Sequence, residues 1–543
     1  MSSVESLVTA YPVPLGWFSH VPLRRPVRGL CVIALAVGFV LIGGGNLDPG
    51  EIEARLGIAA QEPLGPLGRV FGGWEPSLWP LPVALSRIWT LGEGGVPSAA
   101  AVRWPAAIAA VLTGFLLTRR MFHTLGARAS VLMGLSWFGS IALIDRSAGA
   151  GLDLIMGLGT IAALDRILNR GSDLKAGLWA SFAFLAGGWP PLAVIALATV
   201  VIGRREAGLS ARLIVPPCLT AMAWSAWALS QVQATAWAAA LTLPLTQKPA
   251  WFLALGVLAL GLPWSPFIVL AASRSVRAGW SPEARRLCLG WFQVAVACLV
   301  VGTAVPGLAT AARMPALAGL AVLAAGSIQR IWVGTVAPGA VGGFLALTAL
   351  VVGFWIVLVN VGGIFLASSV PYYRGLAIVL IGLSLLIGLV CLVALFRGDI
   401  RRGLLVLAAV AVCLKLAHWG YYVPEWNYRH GQGPWGRAIG QWVVPDWPIY
   451  TVHSWPAALA LATEHPFRQL RHPKSLAFQD GPSPRFVLLF DSEFEHWPAT
   501  APPLTKVATF QDDRGSTRVL ARTTGPFSWK LLVRNRQEDE RIR

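Results

Sequence analysis

At 543 residues, 55% hydrophobic and only 13% charged, the chain is too apolar for an ordinary soluble domain, in which charged residues approach a quarter of the total. Its formal charge of +18 does not indicate nucleic-acid binding, because the 44 Lys and Arg stand in short clusters between apolar runs, as membrane topology signals do. The runs are apolar on every face, for example LAIVLIGLSLLIGLVCLVALF at 376–396, and lack the alternation of barrel strands. The expected fold class is therefore mainly α, a polytopic transmembrane helical bundle, since about 20 residues at helical rise suffice for one crossing.

In chain order, 1–28 is polar or mixed and no small-residue cleavage site follows the first apolar run, so that run reads as an anchor. Arg24, Arg25 and Arg28 precede it and place the amino terminus in the cytoplasm of a plasma-membrane protein. Spans are expected at 29–45, 100–118, 129–144, 150–165, 176–187, 190–203, 211–230, 250–272, 288–305, 315–329, 338–361, 376–396 and 402–419, about thirteen helices in all. Every second loop is then basic, from Arg119 and Arg120 through Arg204 and Arg205 to Arg401 and Arg402. The GGWPP break at Gly187 to Pro191 supplies the hairpin that keeps this parity.

An odd number of crossings leaves 420–543 on the outer face. There the composition turns to Trp, Pro, His and charged residues, with strand-like FVLLF (486–490) and TRVLAR (517–522), so a small α/β extracytoplasmic domain is expected. The aromatic stretch WGYY at its start suits the headgroup belt. Cys31, Cys218, Cys288, Cys298, Cys391 and Cys413 lie within or beside apolar runs without CxxC spacing and read as small core residues. No His has ligand spacing with a second His or Cys, so a divalent metal has no support.

The longest loop between spans, 46–99, carries Asp48, Glu51, Glu53, Glu62 and Glu75 directly after the glycine-rich end of the first span. A carboxylate at the membrane surface is partly desolvated, which raises its pKa and makes it a better general base. The same acids would also serve the first turn of a helix that starts near Glu51. Asp153 lies within an expected span, where ionisable residues face a cavity or a partner. Asp145 and Arg146, just before it, read as an interfacial pair.

DPGEIEARLGIAAQE (48–62), WEPSLWPLPVALSRIWTLGEGGVPSAAAVRWPAAIAAV (74–110), GLDLIMGLGTIAAL (151–164), FAFLAGGWPPLAV (182–194) and LGLPWSPFIVLAA (260–272) follow one another in an order that resembles the C-type integral-membrane glycosyltransferases. The branch they resemble includes aminoarabinose transferase and bacterial protein mannosyltransferase-like proteins. FVLLFDSEF and VATFQDDRGSTRVLAR are similar to that family's small outer domain.

The resemblance implies transfer of a sugar, with inversion, from a polyprenyl-phosphate carrier to a lipid, glycan or protein acceptor on the outer face. Asp48 takes the position of the catalytic carboxylate, with Glu51 as substitute base. Glu75, Asp153 and Arg103 match substrate-binding positions, and Arg146, Arg313 and Lys248 are the cations that could face the departing phosphate. Two departures stand out. Glu75 is followed by Pro76 where the family has a phosphate-binding lysine, and AARMPALAGL (311–320) lacks the family's His and Tyr. A catalytically inactive relative serving as a binding or assembly subunit, or a transporter of lipid-linked sugars, therefore stay open as alternatives. The absence of paired, similarly interrupted apolar segments in two halves counts against the transporter.

Overall fold

The computed structural model describes residues 99–146, 151–169, 171–202, 210–231, 251–334, 336–369, 371–430, 433–444 and, with short interruptions, 447–524, together with a few residues between 81 and 88. The first expected span and most of the acidic loop lie outside this set.

The helices are α1 (Ala99–Leu125), α2 (Ala127–Phe138), α3 (Ile141–Arg146), α4 (Leu152–Leu168), α5 (Asp173–Gly187), α6 (Trp189–Val201) and α7 (Ala211–Gln231). After them come α8 (Trp251–Leu260), α9 (Arg274–Ala278), α10 (Pro282–Ala304), α11 (Ala309–Val333), α12 (Pro338–Ser369), α13 (Arg374–Arg397) and α14 (Ile400–Ala417). A π-helical turn, His418–Tyr422, leads into α15 (Val423–His430) and α16 (Gly433–Gly440). Among the described residues five helices are long and apolar enough to cross a membrane by themselves: α1, α10, α11, α12 and α13. Leu350, Phe354, Val357, Phe365, Leu389 and Phe396 stand exposed along α12 and α13, a surface that lipid tails cover in an integral membrane protein.

Two expected spans are divided, each for a local reason. The segment 250–272 is helical as far as Leu260 and resumes as a 3-10 turn at Ser265–Ala272, because Pro263 offers no N–H to continue the ladder. The carbonyl of Leu262 instead accepts the N–H of Ile141 at 3.0 Å, which joins this break to the start of α3. The segment 129–144 is interrupted at Ser140, whose hydroxyl donates to the Trp137 carbonyl at 2.8 Å and accepts from the Leu143 N–H at 3.4 Å. The GGWPP break is sharper still: Gly188 alone, at φ 73°, turns α5 into α6. A side chain there would be strained, and Pro190 lies in the first turn of the next helix, where a missing N–H costs nothing.

Side chains tie the ends of the helices together. At one end Arg120 Nε meets Asp165 Oδ1 at 3.9 Å, Gln329 Nε2 donates to Leu125 O at 3.5 Å, and the Arg128 guanidinium lies 5.7 Å from the Trp332 ring centre. Arg119, Arg166 and Arg330 belong to the same basic end, each next in the chain to one of these residues. The opposite end carries Asp153, Arg313, Asp145 and His418.

The core is centred on α11, which is buried on almost every face from Ala311 to Ile331. It can be central because it is made of small residues: Gly319 faces the Trp291 carbonyl of α10 so closely that an added Cβ would collide with it, and would come within 2.8 Å of Ala295 Cβ. Gly159 of α4 lies against the backbone of Ala183 on α5 in the same way. Close backbone approach at small residues is how helices associate where lipid removes the hydrophobic drive. Of the five described cysteines, Cys288, Cys298, Cys391 and Cys413 are buried, but Cys218 is exposed on α7, so the core reading does not hold for it.

Beyond α16, five strands form one sheet in the order β2-β1-β3-β5-β4: β1 Ile449–Thr451, β2 Phe467–Gln469, β3 Phe486–Phe490, β4 Leu504–Gln511 and β5 Thr517–Thr523. β1 runs parallel to β2 and β3, whereas β3, β5 and β4 are antiparallel. FVLLF reads as a continuous apolar run because both faces of β3 are covered. Phe486 and Leu488 pack with Ile439, Ile449 and Leu520 on one face, and Val487 and Leu489 pack with Tyr450 and Leu476 on the other.

Gly319→Val should disrupt the α10–α11 crossing at a cost of about 1–3 kcal/mol. Gly353→Val, where an added Cβ meets nothing within 4 Å, should be neutral. Thermal unfolding of the purified protein in lipid would compare the two.

Candidate functional site

At the end of the bundle remote from the basic belt, Asp153 occupies the first turn of α4 and is 4% exposed. The amino-terminal dipole of α4 favours an anion at this place. Its partner comes from the core helix: Arg313 Nη1 lies 3.6 Å from Asp153 Oδ2. Arg313 stands five residues into α11, near the positive end of that helix, where a cation is poorly placed unless an anion faces it. The two dipoles therefore favour the carboxylate and oppose the guanidinium, and the ion pair reconciles them.

Packing fixes this register. Gly157, one turn after Asp153, fits against Met314 Cβ, and Gly187 fits against Met156. The α5–α6 joint at Gly188 thus lies over the first turn of α4. About a fifth of the Arg313 side chain remains accessible beside the pair.

A second polar cluster stands at the same end. His418 Nε2 lies 3.7 Å from Asp145 Oδ1, and the imidazole stacks on Tyr422 with ring centres 5.1 Å apart. His418 is delivered by the π-helical turn, a local widening that occurs often at functional sites. Lys415, one turn earlier on α14, is buried at 3% exposure. Nearby, Tyr373 is buried and packs edge-on against Tyr421. Burial pushes the Tyr373 phenol above its ordinary pKa, and the Glu425 carboxylate, which accepts its hydrogen bond, adds to the rise.

Of the residues expected from sequence, Asp153 and Arg313 are brought together. Arg103 is buried at 3% exposure near the start of α1, and Arg146 is the last residue of α3. Asp48, Glu51, Glu75 and Lys248 lie outside the described residues. Asp145 meets His418 across the bundle, a contact between segments more than 270 residues apart in the chain. Nothing local predicts it. Lys415 did carry a signal, an ionisable residue near the end of an apolar run. Among the described residues no group of three or more His, Cys, Asp or Glu could hold a metal ion.

The Asp153–Arg313 pair makes a stability prediction. Arg313→Ala should destabilise the protein by about 3–5 kcal/mol, because it removes the guanidinium from a buried carboxylate. Adding Asp153→Asn to that variant should recover part of the loss. A thermal-unfolding double-mutant cycle measures both terms, and simple additivity would deny the coupling.

No family model matches the sequence, and no curated protein matches it. Among solved structures, ArnT from Cupriavidus metallidurans in the apo state aligns with a TM-score of 0.67 and 16% identity, covering 91% of this chain and 98% of that one. ArnT from the same organism bound to undecaprenyl phosphate aligns with a TM-score of 0.68, at the same identity and coverage. The arabinosyltransferase EmbB from Mycobacterium smegmatis aligns over 47% of its own length with a TM-score of 0.43 and 16% identity, too distant to carry an argument. Identity this low speaks for architecture and not for chemistry: the chain has the fold of ArnT.

Proposed function

We propose that this protein is a membrane glycosyltransferase that moves a sugar from a polyprenyl-phosphate carrier to an acceptor on the extracytoplasmic face. The observation that carries the reading is the ArnT fold over 91% of the chain, with the Asp153–Arg313 pair set at one end of its bundle. ArnT itself binds undecaprenyl phosphate. In the proposed topology the amino terminus is cytoplasmic, 29–419 forms the membrane domain with its loop 46–99, and 420–543 forms the outer domain.

The division of labour follows from charge. An acceptor hydroxyl attacks the anomeric carbon as the bond from that carbon to the phosphate oxygen breaks, and the polyprenyl phosphate departs with the bonding electrons. The hydroxyl proton passes to Asp48, with Glu51 as the alternative base. Negative charge grows on the departing phosphate, and a guanidinium, with its five N–H donors, can serve a second anion beside the first. Arg313 suits that role, supported by Arg146 and Lys248, in place of the lysine that Pro76 displaces. Asp153 keeps Arg313 oriented, while Glu75 and Arg103 take sugar or acceptor groups. The carrier tail stays among the helices, so no soluble donor has to cross the membrane.

The test is transfer from a radiolabelled polyprenyl-phosphate sugar by the protein in liposomes. Asp48→Asn should lower kcat by about a hundredfold or more while the protein stays folded, and Arg313→Lys should mainly raise KM for the carrier. Full activity in Asp48→Asn would remove it as the base. Movement of labelled carrier across the bilayer without transfer would favour a transporter. Carrier binding with neither activity would favour an assembly subunit.

A further inference from the structure

The end of α2, the break at Pro263 and the middle of α11 enclose a small cavity, lined among others by Ser136, Trp137, Ser140, Trp264, Ser265 and Leu317. Ser136 and Trp264 are each 1% exposed. Neither the Ser136 hydroxyl nor the Trp264 indole N–H meets a hydrogen-bond partner among the described residues. Two more hydroxyls in the wall are partly engaged: Ser140 Oγ donates to Trp137 O at 2.8 Å and accepts from the Leu143 N–H at 3.4 Å, and Ser265 Oγ donates to Leu258 O at 2.6 Å. Each keeps at least one lone pair that can accept. The Trp264 nitrogen lies against the α2–α3 joint, since a Cβ added at Gly139 would stand 3.1 Å from it.

We propose that this cavity is a binding site for one water molecule that joins Ser136 to Trp264. The wall chemistry selects the ligand. An indole N–H only donates, so the occupant must accept a hydrogen bond, which excludes an apolar group and a metal cation. No charged side chain lines the cavity, so an anion would lie buried without a countercharge. A neutral molecule that both accepts and donates, of water size, meets every wall group, and buried waters make about three such bonds.

The site is structural in effect. It connects α2, the Pro263 break and α11 at Leu317, one helical turn deeper than Arg313 on the same face of α11. The water thus helps set the position of the helix that presents Arg313.

Thermal unfolding of the full-length protein in lipid nanodiscs tests this with Ser136→Ala, Trp264→Phe and the double variant. If one water serves both groups, each single variant lowers Tm by about 2 °C or more, and the double variant falls no further than the worse single. Additive shifts would mean that the two groups share no ligand. A rise in Tm for Ser136→Ala would mean a dry cavity, relieved by loss of an unmet hydroxyl. An experimental map of the unmodified protein decides the matter even where a variant fails to fold. A density peak within about 3.2 Å of both Ser136 Oγ and Trp264 Nε1 supports the proposal, and ordered side chains with no such peak overturn it.

Discussion

Close approach of backbones around α11 is the constraint on which the rest of this architecture rests. In lipid, burying apolar side chains against one another gains little over leaving them in contact with acyl chains, so helices hold together through packing and polar contacts. Gly319 against the Trp291 carbonyl, and Gly159 against Ala183, let the central helices come near enough for dispersion contacts to accumulate. Because α11 is fixed in this way, its fifth residue, Arg313, has a defined place relative to the first turn of α4. A shift of α11 along its axis by one residue would take the guanidinium about 1.5 Å from its carboxylate.

The ion pair at that junction is a poor source of net stability and a good source of position. Taking two charges out of water costs about as much as their attraction returns, whereas losing one partner is expensive because the other stays buried. Such a pair penalises misregistered packing more than it stabilises correct packing. It also keeps a cation near the positive end of α11, where the guanidinium would otherwise have no favourable field.

The two polar clusters differ in how visible they are along the chain. Asp153 stands out because a carboxylate inside an apolar run is costly and must be answered by something. Its answer, Arg313, is distinguishable in sequence only as one of many arginines near span ends. The Asp145–His418 contact is less legible still: Asp145 next to Arg146 invites a local pairing, and WGYY at 419–422 invites an interfacial belt. It takes a π-helical widening at the end of α14 to bring His418 across to α3. Similarly, FVLLF and TRVLAR announce themselves as strands, whereas β1 and β2 have three residues each and are defined by their partners more than by their composition.

Composition and run length by themselves determined that the chain is a helical membrane protein and, within the described residues, where most of its helices lie. Those properties follow from local physics, since a segment either can or cannot satisfy its backbone in hydrocarbon. Pro263 and Gly188 also declare their breaks locally, because each removes or reverses a backbone option. Only the tertiary structure decided which charges meet, which glycines serve as contact points, and that Ser136 and Trp264 share one cavity. Those facts depend on the relative translation and rotation of helices distant in sequence, which no local preference encodes.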